Sequence, residues 1–159
     1  MSKKIALLYG GYSREREISI KSGKAVEGSL QRLGYDYQVF DPIEKDKFVE
    51  KIINYKPDLA FIALHGKGGE DGTIQSLLEF LDIPYTGSDS KTSMICIDKV
   101  LTKMYLEKFG INTPKWNFFL KIEDALSFKP DFPAVVKAPN EGSSIGVYIV
   151  NNQDEYKKA

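Results

Sequence analysis

The sequence predicts an α/β chain: a doubly wound parallel sheet over roughly the first 90 residues, then a second region of different character. Three observations predict it. Apolar strand-like runs alternate with helical patterns, as in Ile5-Ala-Leu-Leu-Tyr9, Tyr37 to Phe40 and Leu59-Ala-Phe-Ile-Ala-Leu64. Glycine-rich polar loops follow the first and third runs, where functional loops of such a sheet lie. From Thr92 the alternation stops.

Element by element, Ile5 to Tyr9 is a buried-type strand closed by the Gly10-Gly11 turn. Between Glu17 and Leu33 the apolar residues Ile18, Ala25, Val26, Leu30 and Leu33 mark one helical face, and Gly34 ends it as a C′ residue. Tyr37 to Phe40 is the second strand, closed by Asp41-Pro42. Phe48, Val49, Ile52 and Ile53 indicate a short helix broken at Pro57-Asp58, and Leu59 to Leu64 is the third strand. After the loop from Gly66 to Gly72, Thr73 caps or opens a helix that turns Ile74, Leu77, Leu78 and Leu81 inward. A short strand is expected over Asp82 to Thr86. In the second region Asp98 to Phe109 reads as a helix stopped by Gly110, and Thr113-Pro114 opens an extended segment. A short helix over Glu123 to Phe128, a hairpin of Phe132 to Lys137 with Val147 to Val150, and a helix opening at Asp154 complete it. The expected division is residues 1–96, a whole first domain, and 97–159, a second region too short to close its own core and cut in mid-domain.

Composition excludes several classes. Lysine plus arginine and aspartate plus glutamate both total 22, so the formal net charge is zero and nothing points to nucleic acid. The apolar runs are far too short to span a bilayer. Met1-Ser-Lys-Lys4 leads into a strand rather than into a signal-peptide apolar region. Cys96 and His65 are each the single residue of their type, which rules out a disulfide framework and a cysteine or multi-histidine metal cluster. A cytoplasmic protein is expected.

Three constellations can carry chemistry. In Gly10-Gly-Tyr-Ser-Arg-Glu-Arg-Glu-Ile-Ser19 the glycines allow close ligand approach, but the spacing is not that of a dinucleotide fingerprint. Taken alone, the block fits best as a turn before an acidic helix N-terminus, where Glu15 and Glu17 meet the macrodipole. A functional Glu15 would instead offer its carboxylate to an ammonium group. In His65-Gly-Lys-Gly-Gly-Glu-Asp-Gly72, four glycines around two acids lose much conformational entropy on folding, which favours a functional loop. Glu70 or Asp71 could also serve only the following helix. Lys137 ends an apolar strand, and Gly142, Ser143, Ser144 and Gly146 follow it; a hairpin loop would suffice, yet such a loop can also grip a triphosphate. With Lys99 it would make a two-lysine phosphate site, and it is not a Walker A loop.

In order along the chain, these blocks resemble the D-alanine–D-alanine ligase family of ATP-grasp enzymes. The resemblance rests on Gly-Gly-Tyr-Ser-Arg-Glu-Arg-Glu-Ile-Ser from Gly10, Ala-Leu-His-Gly-Lys-Gly-Gly-Glu-Asp-Gly-Thr-Ile-Gln from Ala63, and Pro-Tyr-Thr-Gly-Ser from Pro84. It continues through Asp98-Lys99, Thr102-Lys103, Thr113-Pro114, Phe-Pro-Ala-Val-Val-Lys from Phe132 and Glu-Gly-Ser-Ser-Ile-Gly from Glu141. It implies a Rossmann-like substrate-binding domain (1–96) and the truncated start of an ATP-grasp domain (97–159). The implied reaction uses ATP to phosphorylate the carboxylate of one D-alanine, and the amine of a second D-alanine attacks the acyl phosphate. The dipeptide feeds peptidoglycan synthesis. By resemblance Glu15 takes the first ammonium group, which reverses the local preference, and Ser143 shares a hydrogen-bonded set with it. Lys99 and Lys137 hold ATP, Ser144 belongs to the loop over the γ-phosphate, and His65 borders the substrates. Family members are typically homodimers.

This chain has Lys137-Ala138-Pro139 where the family has Lys-Pro, with the Lys-to-Ser spacing kept. The family's Mg²⁺ ligands, its mobile Lys–Tyr loop and its arginine lie beyond the residues given, so no ligase turnover is expected from these 159 residues alone. Two other readings remain: a ligase joining D-alanine to D-lactate or D-serine, and a non-catalytic α/β binding or dimerisation module.

Overall fold

A computed structural model describes residues 3–159; the sequence expectation for Met1 and Ser2 lies outside the described residues. The chain divides into two compact units between Ile95 and Cys96.

The first unit contains β1 (Lys4–Leu8), α1 (Arg16–Arg32), β2 (Asp36–Phe40), α2 (Lys45–Tyr55), β3 (Leu59–Ile62), α3 (Thr73–Phe80) and most of α4 (Ser90–Ile97). The strands form a parallel sheet in the order β2-β1-β3, with Ala6 opposite Gln38 on one side and Ala60 on the other. Alternate strand residues point to opposite faces. Ala6, Leu8, Phe40 and Ala60 pack with Phe48 and Ile52 of α2 and with Ile74 and Leu78 of α3. Ile5 and Leu7 pack on the other face with Leu30 of α1. Helices thus cover both faces, as the doubly wound expectation requires. Leu7, Leu8, Ile52 and Leu78 are fully buried, each worth about 1.5–3 kcal/mol relative to exposure.

Helix ends follow local chemistry. Beyond α1, Gly34 (φ +72°) donates to the Gln31 carbonyl and Tyr35 to that of Leu30, a Schellman motif. Beyond α3 the same pair of bonds runs from Asp82 to Glu79 and from Ile83 to Leu78, with Asp82 at φ +53°. This corrects the strand expected over Asp82 to Thr86. Left-handed Asp82 breaks the extension and Pro84 has no N–H, so only a parallel bridge between Ala60 and Tyr85 forms. The third strand also stops at Ile62, two residues early.

The second unit contains α5 (Lys99–Lys108), α6 (Ile122–Ser127), β4 (Ala134–Lys137), β5 (Val147–Val150) and α7 (Gln153–Lys158). The two strands pair antiparallel, Ala134 with Val150 and Lys137 with Val147, giving the expected hairpin. Tyr156 Oη donates to the Ala125 carbonyl, tying α7 to α6, and the Phe119, Phe128 and Tyr156 rings gather beside them. Val150 is buried, while Val135, Tyr148 and Ile149 of the hairpin are exposed. Among the described residues no helix is long and apolar enough to cross a membrane.

Candidate active site

In the first unit β1 lies between β2 and β3, so the connections leaving β1 and β3 diverge at a topological switch point, where ligands of open α/β sheets bind. Three serines join the loops that follow those two strands. Ser13 Oγ donates to the His65 carbonyl (2.7 Å) and accepts from the Glu15 N–H (3.1 Å). Ser19, fully buried on α1, donates to the Ala63 carbonyl (2.7 Å) and accepts from the Gly10 N–H (2.9 Å). Ser22 Oγ lies 3.0 Å from His65 Nε2.

Glu15 occupies the N-cap position of α1 without capping it through its side chain. Its carboxylate turns toward the other loop: a Cβ on Gly66 would stand 2.5 Å from Glu15 Oε2. Gly66 also has φ +66°, so space and backbone both require glycine there. His65 is partly buried, with Nδ1 3.6 Å from Glu70 Oε1, and Glu70 Oε2 accepts the Gly66 N–H at 2.9 Å. Asp71 has the structural role left open for one of the two acids. It accepts the N–H groups of Gly68 (2.9 Å) and Thr73 (3.1 Å) at the start of α3. Burial pushes its carboxyl up, but these hydrogen bonds outweigh burial and hold it below the usual range. Gln75, buried under the loop, donates to the Gly69 carbonyl (2.7 Å), while its Oε1 has no hydrogen-bond partner among the described residues.

In the second unit Asp98 caps α5, accepting from the N–H groups of Val100 (2.8 Å) and Leu101 (3.0 Å). Lys99 is fastened to the loop between β4 and β5: its N–H donates to the Pro139 carbonyl (3.0 Å), and Nζ donates to the carbonyls of Glu141 (2.5 Å) and Pro139 (3.3 Å). Lys137 is the exposed last residue of β4. Ala138 continues the ladder by donating to the Gly146 carbonyl (2.9 Å), so the Lys-Ala-Pro departure leaves the hairpin closed. Ser143 (φ +47°) and Ser144 (φ +62°) are both left-handed. Non-glycine residues hold that conformation at a cost of about 1 kcal/mol or more each, and such strain concentrates at ligand-handling loops. The second unit thus brings Lys99 to the serine loop, while the first brings Glu15 and His65 together. Among the described residues no group of three or more His, Cys, Asp or Glu gathers as a metal site.

Sequence reasoning did not single out Ser19, Ser22, Arg16, Asp41 or Gln75. Apart from Gln75, which bonds Gly69 six residues back, their roles lie in contacts distant along the chain; only the serines' recurrence on one side of α1 was visible beforehand.

Residues 42–88 match the family described as D-ala D-ala ligase N-terminus, and residues 105–159 match D-ala D-ala ligase C-terminus. The D-alanine–D-alanine ligase of Aquifex aeolicus is 49% identical over 156 residues, covering 98% of this chain and 53% of that protein. The Thermotoga petrophila enzyme of the same name is 46% identical over 158 residues, covering 98% and 50%. Among solved structures, D-alanine–D-alanine ligase from Bacillus anthracis superposes with a TM-score of 0.79 at 40% identity, covering 97% of this chain and 51% of that one. The same enzyme complexed with ATP gives 0.75 at 38% identity, covering 97% and 52%. The chain spans about half the length of the curated relatives it matches.

Proposed function

The chain belongs to the D-alanine–D-alanine ligase family, of ATP-grasp architecture, and from that premise we propose that it forms the amino-terminal half of an ATP-dependent ligase joining two D-alanines. Residues 1–96 are the proposed substrate-binding domain and residues 97–159 the opening of the ATP-grasp domain. The observation that carries the reading is Glu15, whose carboxylate is held against Gly66 by loops that Ser13 and Ser19 join.

In this reading Glu15 takes the ammonium group of the first D-alanine in a charge-assisted hydrogen bond, and His65 borders the same substrate. Lys99 and Lys137 bind the polyphosphate of ATP. Ser143 and Ser144 belong to the loop over its γ-phosphate. The donor set fits: two ammonium groups and strained, glycine-flanked hydroxyls suit phosphate oxygens. ATP supplies the phosphoryl group that activates the first carboxylate. The chain's own work is positioning and charge neutralisation, the main demands of phosphoryl transfer. The described residues do not fit a Mg²⁺ site, and in this reading the metal's ligands come from outside them. The whole enzyme is proposed to be cytoplasmic and homodimeric, and to serve peptidoglycan synthesis.

Incubating the full-length protein with ATP, Mg²⁺ and D-alanine tests the proposal. D-alanyl-D-alanine with matching ADP is expected. Absence of D-alanine-dependent ADP would overturn it, and product formation only with added D-lactate or D-serine would reassign it to the related ligases. These 159 residues alone are expected to give no turnover.

A further inference from the structure

His65 is the single histidine of the chain, and its ring is held from two sides by groups to which the proposed reaction assigns no part. Ser22 Oγ lies 3.0 Å from Nε2, and Glu70 Oε1 lies 3.6 Å from Nδ1. The Glu70 carboxylate is itself fixed by the Gly66 N–H. A separation of 3.6 Å is too long for a hydrogen bond, so Glu70 acts on the ring through its charge. That charge favours a proton on Nδ1. With the proton on Nε2, the Nδ1 lone pair would face a carboxylate and the two would repel. A proton on Nδ1 leaves a lone pair at Nε2, and the Ser22 hydroxyl meets it as a donor. The His65 backbone is fastened separately, because its carbonyl accepts from Ser13. Removing the Ser22 hydroxyl therefore releases the ring without releasing the loop.

We propose that Ser22 is a positioning residue: its O–H donates to His65 Nε2 and, with Glu70, holds the ring as the Nδ1-protonated tautomer in one orientation at the switch-point crevice. The functional weight of this assignment rests on the reading that His65 borders D-alanine. The tautomer itself does not.

The test is long-range ¹H–¹⁵N NMR of the full-length protein labelled at histidine, at a pH where the His65 ring gives the spectrum of a neutral imidazole. A His65→Gln variant identifies which ring signals belong to His65. The expected spectrum has a protonated-type Nδ1 and a lone-pair-type Nε2. Ser22→Ala moves both signals toward the mixed values of free imidazole, Ser22→Thr restores them, and backbone amide signals distant from the crevice stay in place. Glu70→Gln provides an independent variant and shifts the ring toward Nε2 protonation. An Nε2-protonated wild type, or a Ser22→Ala spectrum equal to wild type, overturns the assignment. In the full-length protein Ser22→Ala is expected to raise the KM for D-alanine roughly three- to tenfold, the worth of one hydrogen bond, with a loss of folding stability no larger than about 1.5 kcal/mol, roughly tenfold in the folding equilibrium. An unchanged KM overturns the positioning role. A full-length protein that makes no dipeptide sinks the ligase reading instead, and the spectra still decide the tautomer.

Discussion

Arg16 forks onto Asp41, with Nη2 2.6 Å from Oδ2 and Nη1 3.1 Å from Oδ1, while Nη1 also donates to the Gly11 carbonyl at 2.6 Å. Asp41 accepts the N–H groups of Gly11 (2.9 Å) and Ile43 (3.0 Å) as well. One carboxylate at the end of β2 thereby fixes the turn after β1 that leads to Ser13 and Glu15. The turn admits no side chain at Gly10, where a Cβ would lie 2.5 Å from Asp41 Oδ2.

This clamp predicts a pH dependence. Burial pushes the Asp41 carboxyl up, but the Arg16 hydrogen bonds, the two backbone N–H groups and the Arg16 charge outweigh it and hold it below the usual range. A lowered folded-state value means that the stabilisation is present above the unfolded carboxylate value of about 3.9 and is lost as pH falls through the folded one. Asp41→Asn should lower stability at pH 7 by about 1–2 kcal/mol, below the full scale of a hydrogen bond to a charged group because solvent screens the partly exposed pair. The gap to wild type should close as pH falls below about 4. Urea unfolding at a series of pH values checks both the size and the direction.

Gly66→Ala should be more harmful to substrate binding than to folding. The new Cβ would sit 2.5 Å from Glu15 Oε2, 3.3 Å from Ser13 Oγ and at a positive φ. Glu15 must then leave its position. We expect D-alanine affinity of the full-length protein to fall by at least about tenfold, a loss of about 1.4 kcal/mol. Calorimetry beside a thermal melt separates this from unfolding.

Ser19→Ala removes a buried hydroxyl that both accepts from Gly10 and donates to Ala63. Two buried backbone groups lose their partner, so destabilisation of about 1–3 kcal/mol is expected. Hydrogen exchange at the Gly10 amide should accelerate more than exchange in β2.

In the second unit, Lys99→Met should loosen the loop between β4 and β5, since Nζ bonds the carbonyls of Pro139 and Glu141. Exchange of amides over residues 140–146 should rise while the Val135–Ile149 pairing stays protected. A loop as protected as wild type would show that Lys99 does not organise it.

How far these features were legible beforehand follows from where their causes lie. Gly34 and Gly110 announce the ends of α1 and α5 because glycine is the usual left-handed residue there. Asp82 makes the same turn without glycine, and so a strand was expected where only a bridge forms. The helix α4 went unseen because Met94, Ile95 and Ile97 mark no clear helical face. Its start was nonetheless encoded in Asp89, whose carboxylate accepts the Thr92 N–H at 2.7 Å. In the site, His65 stood out because an imidazole among four glycines demands a reason, whereas Glu15 gained its role only from the family resemblance and Lys99 only beside Lys137. Ser19, Ser22 and Asp41 did not stand out, since a mid-helix serine and an aspartate before proline look ordinary until the loops from β1 and β3 come together.

In the proposed ligase reaction Glu15 receives the ammonium group of D-alanine. The most direct measurement is dipeptide formation by the full-length protein with ATP and Mg²⁺ across a range of D-alanine concentrations, for wild type and Glu15→Gln, with product identified by mass spectrometry. Expected are D-alanyl-D-alanine from wild type and a loss of about 10- to 100-fold in kcat/KM for Glu15→Gln, the scale of a hydrogen bond to a charged group. Dipeptide formation by Glu15→Gln at the wild-type efficiency, or none from wild type, would contradict this reading.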